Sequence, residues 1–223
     1  MMGILLQSQI TTTTEQDNFM DMLSNMGIGG NIVMAVLLLL SILAIYILIE
    51  RYFAIRKESL EDEDFLMSIR KFVEEKNIDQ AKKLCKNTDS PISRMIEKGL
   101  DRIDKPMTDI SAAIENQGKL EIYKMDNKIT NLATISGAAP MIGFLGTVIG
   151  MIIAFQEMAR QTKVNPADLA GGIYTAMITT AAGLVVGIIA YISYNYLVNK
   201  VDKVIFQLEA RTTEFLDLLH HND

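Results

Sequence analysis

The stretch "AMITTAAGLVVG" (Ala176–Gly187) decides the fold, because it lies inside the long run Leu169–Asn199, which contains no Asp, Glu, Lys or Arg. Two further uncharged runs occur at Met22–Ile49 and Ile129–Gln156. About twenty apolar residues are enough for a helix to span the hydrocarbon core of a bilayer. Each run exceeds that length, so the sequence predicts three transmembrane helices.

The basic residues predict the orientation of these helices. Of the 21 Lys and Arg residues, 16 lie in Arg51–Lys128, between the first and second uncharged runs. Loops rich in Lys and Arg stay on the cytoplasmic side of a membrane. We therefore expect the N-terminus outside, this block inside and the C-terminus inside. Nothing basic precedes the first run, and it is longer than the apolar core of a signal peptide, so we expect it to remain as an anchor.

The cytoplasmic block is expected to be helical. Phe65, Ile69 and Val73 recur at helical spacing, which is typical of one buried helix face. In Met107–Ile135, apolar residues repeat every three or four positions. This pattern predicts one long helix that continues into the second membrane helix. The stretch "VDKVIFQLEARTTEFLDLLH" (Val201–His220) predicts a similar extension of the third.

The second and third membrane helices are rich in small residues. Lipid gives helices no hydrophobic reason to associate, so small residues that permit close backbone approach mark packing faces. A proline inside the second helix also predicts a local bend. The residues expected to serve helix packing are Pro140, Gly143, Gly146, Gly150, Gly183 and Gly187.

The threonines of these two helices admit two interpretations. A threonine in a membrane helix often bonds only the carbonyl group four residues earlier, with no further role. Counted from the outer ends of their runs, Thr147 and Thr180 lie roughly 14 and 17 Å deep, at 1.5 Å per residue. Two hydroxyls at nearly one depth could line a narrow polar path. Thr175 and Thr179 are further candidates to line it.

The three uncharged runs contain no Asp, Glu, His, Lys or Arg. Membrane machines that couple to ions usually keep an ionisable residue within the membrane. Either this chain conducts nothing, or another subunit provides a carboxylate.

Nothing in the chain indicates catalysis or cofactor binding. Cys85 is the one cysteine, and His220 and His221 stand together near the C-terminus. These residues form no metal-ligand or nucleophile pattern. We expect no enzymatic activity, no cofactor and no bound metal. The segment Arg51–Lys128 balances 16 acidic against 16 basic residues, which argues against a nucleic-acid partner.

Two stretches carry a family resemblance. "LATISGAAPMIGFLGTVIGMIIAF" (Leu132–Phe155) and "LAGGIYTAMITTAAGLVVGIIAYISYN" (Leu169–Asn195) resemble the MotA/TolQ/ExbB family of bacterial inner-membrane proteins. The weaker "NTDSPISRMIEKGL" is similar too. Three membrane helices, rather than the four of the MotA branch, make the ExbB and TolQ branches the more similar ones.

The resemblance implies a function and partners. It implies a ring of five identical subunits around the helices of a smaller ExbD/TolR-like protein, whose membrane aspartate supplies the missing carboxylate. Proton flow would then power TonB-dependent outer-membrane transport through a TonB-like protein. The alternatives are a TolQ-like subunit of the Tol–Pal system and a membrane scaffold that conducts nothing.

The resemblance also implies which residues face the ion path. The family's pore-facing threonines fall on Thr147 and Thr180. Where the family often has a glutamate, this chain has Thr175. That departure leaves less negative charge along the path, so sodium stays open as an alternative to the proton.

The expected fold is thus an all-α, multi-pass protein of the bacterial inner membrane, with long helices extending into the cytoplasm and five copies in a ring. Its expected segments are a periplasmic N-terminal segment (1–27), a first membrane helix (28–50), a cytoplasmic helical domain (51–130), a second membrane helix (131–156), a periplasmic loop (157–168), a third membrane helix (169–197) and a cytoplasmic C-terminal helix (198–223).

Overall fold

The structure is a computed structural model that describes residues 27–58, 63–160 and 166–221. Every element in the described part of the chain is an α-helix, which confirms the predicted all-α class. The helices are α1 (Gly27–Glu58), α2 (Glu63–Glu74), α3 (Ile78–Asn87), α4 (Pro91–Leu100), α5 (Met107–Asp126), α6 (Ile129–Arg160) and α7 (Pro166–His221). The expected N-terminal periplasmic segment lies outside the described residues, apart from Gly27.

Within the ranges that the structure describes, three helical stretches are long and apolar enough to cross a membrane. They are Gly29–Arg56, Met107–Arg160 and Ala170–His220. This confirms the three predicted membrane helices by length and composition. The segment boundaries at the membrane surfaces stay predictions, and residues 161–165 of the expected periplasmic loop fall outside the described part.

The prediction of one unbroken helix over Met107–Ile135 is wrong at one point. Helix α5 ends at Asp126 and α6 begins at Ile129, with a two-residue turn between them. The Asn131 amide donates to the Lys128 carbonyl over 3.3 Å, a spacing of three residues that tightens the chain locally. Helix α7, in contrast, continues without interruption from Pro166 to His221, as the apolar repeat predicts.

The contacts within the chain divide it into two units. The first comprises the described residues up to Leu38 together with Pro140–Leu184. The second comprises Leu39–Ala139 and the described residues from Val185 onward.

The second unit is organised around an apolar core. All seven helices of the described residues contribute buried residues to this core. The predicted face of α2 is among them, since Phe65, Ile69 and Val73 are all buried. The largest completely enclosed side chains include Ile96 and Ile114. Burial of such side chains is the main stabilising contribution to a packed domain.

Two short helices of the second unit, α3 and α4, begin at capping residues. The Gln80 amide donates to the Asn77 side chain over 3.4 Å at the start of α3. At the start of α4, Ser90 and Ser93 cap each other's amides reciprocally, and Pro91 occupies the first helical position. Such caps satisfy amide groups that the first helical turn leaves without partners.

The first unit contains parts of α1, α6 and α7, and it holds the threonines and, apart from Gly187, the small residues singled out in the sequence. Large apolar side chains such as Ile32, Leu38 and Met141 are exposed on its surface. A helix that is apolar on all sides is suited to a lipid environment.

Candidate functional site

Helices α6 and α7 pack against each other through residues with little or no side chain. A methyl group added at Gly143 would lie 2.7 Å from the Thr179 carbonyl oxygen and 3.0 Å from the Gly183 Cα. One added at Gly150 would lie 2.8 Å from the Ala176 Cβ. These distances leave no room for a side chain, so glycine permits the close approach of the two backbones.

Helix α1 joins this contact at Gly146. A methyl group there would lie 2.6 Å from the Thr179 Oγ1 and 3.0 Å from the Val33 Cγ1. One added at Gly29 would lie 3.3 Å from the Ile149 side chain. The glycines therefore allow parts of three helices to meet within the first unit.

The two threonines that the sequence placed at one depth touch each other. The Thr147 and Thr180 hydroxyls form a hydrogen bond in which either oxygen could be the donor. The Thr180 hydroxyl also lies 3.1 Å from the Gly143 carbonyl oxygen. The Thr147 hydroxyl reaches the Ala176 carbonyl oxygen at 3.3 Å and the Gly143 carbonyl oxygen at 3.4 Å.

Thr179 lies beside this pair and is 1% exposed. Its hydroxyl is 2.7 Å from the Ala176 carbonyl oxygen and 3.2 Å from the Gly143 carbonyl oxygen. We call the three threonine hydroxyls and these two carbonyl groups the hydroxyl cluster. All its members are neutral, so a proton or a carboxyl group near the cluster meets hydrogen-bonding atoms without a fixed charge.

The hydroxyl cluster reaches an open groove at Thr147. This groove is lined by Phe144, Thr147, Val148, Met151, Ile152, Phe155, Gln156 and Ala159. Thr147 is half-buried, and the lining is otherwise apolar apart from Gln156. A group approaching along the groove would therefore meet the Thr147 hydroxyl as a polar point on an apolar surface.

The remaining predicted residues are spread along α6 and α7. Pro140 is half-buried in α6, whereas Gly183 and Gly187 are buried in α7. Thr175 belongs to α7, but its side chain lies outside the described part of the structure. The roles predicted for all these residues stay predictions.

The sequence reasoning missed the carbonyl groups of Gly143 and Ala176 as acceptors of the cluster. Gly143 precedes Thr147 by four residues, and that spacing was the available signal for the first carbonyl. Within the described ranges, no three His, Cys, Asp or Glu side chains are grouped as metal ligands. The expected absence of a cofactor stays a prediction.

Comparison with known proteins gives the family. Residues 87–210, more than half of the chain, match the MotA/TolQ/ExbB proton channel family. The biopolymer transport protein ExbB of Aquifex aeolicus is 33% identical over 110 residues, which cover 48% of this chain and 74% of that protein. The Tol-Pal system protein TolQ of Haemophilus influenzae is 34% identical over 100 residues, covering 45% and 44%.

An ExbB homologue of Methanothermobacter thermautotrophicus is 34% identical over 120 residues, which cover 54% of this chain and only 42% of that protein. The match is thus to part of some relatives rather than to their whole length. Together with the three apolar helices, these relatives identify a multi-pass membrane protein. The chain belongs to the MotA/TolQ/ExbB proton channel family.

Proposed function

We propose that this protein is the ExbB-like subunit of an ion-driven motor in the bacterial inner membrane. In this proposal the motor uses the proton motive force to energise TonB-dependent outer-membrane transport through a TonB-like protein. Five copies form a ring, with the N-terminus in the periplasm and the C-terminus in the cytoplasm. Family membership and relatives named ExbB support the proposal.

The observation that carries it is the hydroxyl cluster on glycine-packed helices. Thr147 and Thr180 bond across α6 and α7, and the uncharged runs contain no Asp, Glu, His, Lys or Arg that could bind and release a proton. A charged residue within the membrane would attract an opposite charge strongly, because the surrounding dielectric constant is low. Neutral hydroxyls can instead exchange hydrogen bonds with a carboxyl group without trapping it.

The carboxyl group would come from an ExbD/TolR-like partner with one membrane helix and an aspartate in it. As an ionised acid, this aspartate would accept hydrogen bonds from the threonine hydroxyls. As a protonated acid, it can also donate one. The aspartate could therefore take up and release its proton while it moves past successive copies of the chain. No enzymatic activity is part of this proposal.

The charge pattern supports the proposed orientation. The segment Arg51–Lys128 contains 16 of the 21 basic residues, which favours a cytoplasmic location for the second unit's short helices. Glu50, towards the expected cytoplasmic end of α1, forms an ion pair with Lys128. Such charged groups are suited to the water-exposed boundary of a membrane.

Proton flux tests the proposal directly. The chain and its ExbD/TolR-like partner are reconstituted in liposomes with a trapped pH-sensitive dye, and a pH gradient is imposed. We expect gradient-driven proton uptake that falls at least about tenfold in Thr147→Val or Thr180→Val, the equivalent of losing one hydrogen bond in the rate-limiting step. Replacing protons by a sodium gradient distinguishes the two candidate ions.

Ser193→Ala is the matched control. The Ser193 hydroxyl donates to the Ile189 carbonyl over 2.7 Å within α7, so its loss leaves the cluster intact. Proton uptake by the threonine variants at the wild-type rate, with normal assembly, would refute an ion path at these residues. An intact complex without any uptake would favour the non-conducting scaffold.

The TolQ-like alternative is supported by the relative from Haemophilus influenzae. Cells carrying Thr180→Val separate the two systems. Failure to grow on scarce iron complexes indicates TonB-dependent transport, whereas normal iron uptake with a leaky outer membrane indicates the Tol–Pal system.

A further inference from the structure

Three hydroxyls share two acceptor carbonyls in the hydroxyl cluster. Thr179 reaches both of them, the Ala176 oxygen at 2.7 Å and the Gly143 oxygen at 3.2 Å. The same two oxygens are reached by the neighbouring pair, Gly143 by Thr180 and Ala176 by Thr147. Each carbonyl oxygen has two lone pairs, so it can accept a hydroxyl proton in addition to a backbone amide.

The hydroxyl protons can be arranged in two complete orders when the longest contact, of 3.4 Å between the Thr147 hydroxyl and the Gly143 carbonyl oxygen, is left out. Each hydroxyl has one proton, which rotates to suit its acceptor, and either Thr147 or Thr180 can donate in their mutual bond. In the first order, Thr147 donates to Thr180, Thr180 donates to the Gly143 carbonyl, and Thr179 donates to the Ala176 carbonyl. Every proton then has an acceptor.

The second order reverses the direction of the pair. Thr180 donates to Thr147, Thr147 donates to the Ala176 carbonyl, and Thr179 turns to the Gly143 carbonyl. Every proton again has an acceptor. Each proton stays on its own oxygen, so the interconversion needs only rotation of O–H bonds and changes no charge.

We propose that Thr179 is a positioning residue for the Thr147–Thr180 pair, because it donates to whichever of the two carbonyls the pair leaves open. The inference rests on the proposed function, in which the pair meets a carboxyl group of the partner. In the first order the Thr147 oxygen accepts no hydrogen bond within the cluster, so it can accept one from a protonated carboxyl group in the groove. In the second order the Thr180 oxygen is the one that accepts no hydrogen bond within the cluster.

Thr179 also contributes to which order is preferred. Its contact with the Ala176 carbonyl is shorter than its contact with the Gly143 carbonyl, and shorter hydrogen bonds within this range are stronger. The first order is therefore favoured at rest, and it presents the Thr147 oxygen to the groove. Removal of the Thr179 hydroxyl takes away its contribution to this preference and leaves one carbonyl without its hydroxyl donor in either order.

A packing role for Thr179 must be separated from this positioning role. The side chain is tightly enclosed, since a methyl group at Gly146 would come within 2.6 Å of its Oγ1. Thr179→Val keeps the shape and removes the hydroxyl, whereas Thr179→Ser keeps the hydroxyl and removes the methyl group. A packing role predicts that the valine variant is the more active, and a positioning role predicts that the serine variant is.

Proton uptake into liposomes that contain the chain and its partner distinguishes the two. We expect Thr179→Val to lower uptake about tenfold, as the loss of one hydrogen bond would, and Thr179→Ser to keep at least half of the wild-type rate. Size-exclusion chromatography and thermal unfolding check assembly for each variant. If the valine variant does not assemble, Thr179→Ala removes the hydroxyl with less volume, and we expect the same loss.

The outcomes separate this inference from the proposed function. A Thr179→Val complex with wild-type uptake overturns the inference, and so does a Thr179→Ser complex that assembles normally but is as impaired as the valine variant. In either case a loss of uptake in Thr147→Val would leave the proposed function standing. A wild-type complex without gradient-driven uptake refutes the proposed function, and the inference with it.

Discussion

Arg94 donates a hydrogen bond of 2.8 Å to Glu121, a carboxylate whose side chain is 2% exposed in the second unit. Gln117 and Lys124 donate to the other carboxylate oxygen, over 2.6 and 3.0 Å. A buried charge is tolerated only when it is paired and hydrogen-bonded. Helices α4 and α5 are thus joined by a polar contact between a buried carboxylate and partly exposed donors.

This contact predicts a pH-dependent stability. Burial by itself raises the pKa of Glu121, but the hydrogen bonds from Arg94, Lys124 and Gln117 and the charge of Arg94 outweigh burial and hold the pKa below its usual range. The folded state then binds fewer protons than the unfolded state. The stabilisation is therefore present above the pKa of the unfolded chain and is lost as the pH falls through the pKa of the folded one.

Glu121→Gln tests this pH dependence. At pH 7 we expect a destabilisation of about 1.5–3 kcal/mol, because the variant removes the buried negative charge that Arg94 and Lys124 contact and weakens hydrogen bonds that a charged acceptor strengthens. Between pH 6 and 3.5 we expect the unfolding temperature, followed by circular dichroism in detergent, to fall less than in the wild type. Asp89→Asn is the control, since Asp89 contacts the same arginine but is 76% exposed. An equal acid dependence in wild type and Glu121→Gln would contradict the assignment.

Two glycines of the second unit predict different changes in stability on replacement by alanine. A methyl group at Gly99 would lie 2.7 Å from the Ile114 Cδ1 and 3.2 Å from a Phe215 ring carbon. One at Gly118 would lie 2.9 Å from the flexible end of Met95. We expect Gly99→Ala to destabilise the protein by about 1–2 kcal/mol through overpacking. The stability of Gly118→Ala should stay within about 1 kcal/mol of the wild type, because the Met95 side chain can move away from the added methyl group and alanine favours the helix.

Urea unfolding followed by circular dichroism measures both variants. Each serves as the matched control for the other, because both replace a helical glycine in the same unit. A larger loss of stability in Gly118→Ala than in Gly99→Ala would show that the Met95 side chain, rather than Ile114, is the rigid neighbour.

Cys85 is predicted to report unfolding of the second unit. The thiol is 2% exposed, and burial, together with the nearby Glu97 carboxylate, raises its pKa to about 12. Because the thiolate is the reactive form, we expect maleimide labelling at pH 8 to be about 100-fold slower in the folded protein than in urea. Gly99→Ala should accelerate labelling, since local opening becomes easier. Rapid labelling of the folded wild type would contradict the burial of this residue.

The membrane helices and the helical faces could be predicted from the sequence because strong physical constraints leave regular patterns. A bilayer requires long runs without charge, and Leu169–Asn199 is one. A buried helix face requires apolar residues at a period near 3.6, and Phe65, Ile69 and Val73 follow it. Each pattern lies within one continuous segment of the chain, so it can be recognised from the sequence without knowledge of the fold.

The polar contacts could not be predicted because they join distant segments. Arg94 and Glu121 are separated by 27 residues, and nothing in either residue type identifies its partner. In the hydroxyl cluster, the Gly143 carbonyl is a backbone group that every residue has. The sequence indicated Thr147 and Thr180, but only their three-dimensional placement relates them to Thr179 and to shared acceptors.

Two glycines of α6 differ in what an added methyl group would contact. At Gly143 it would lie 2.7 Å from the Thr179 carbonyl oxygen, a backbone atom that cannot turn away. At Gly137 nothing lies within 4 Å. We expect Gly143→Ala to destabilise the protein by about 1–3 kcal/mol, because α6 and α7 must separate. Separation would also break the Thr147–Thr180 bond, so proton uptake should fall with stability.

Gly137→Ala is the matched control for that prediction. It adds the same methyl group to the same helix, and alanine favours a helix by up to about 1 kcal/mol over glycine. Thermal unfolding in detergent and proton uptake in liposomes are measured for both variants. Wild-type stability and uptake in Gly143→Ala would mean that α6 and α7 tolerate a wider separation, and that the close contact at Gly143 is not what holds the two hydroxyls together.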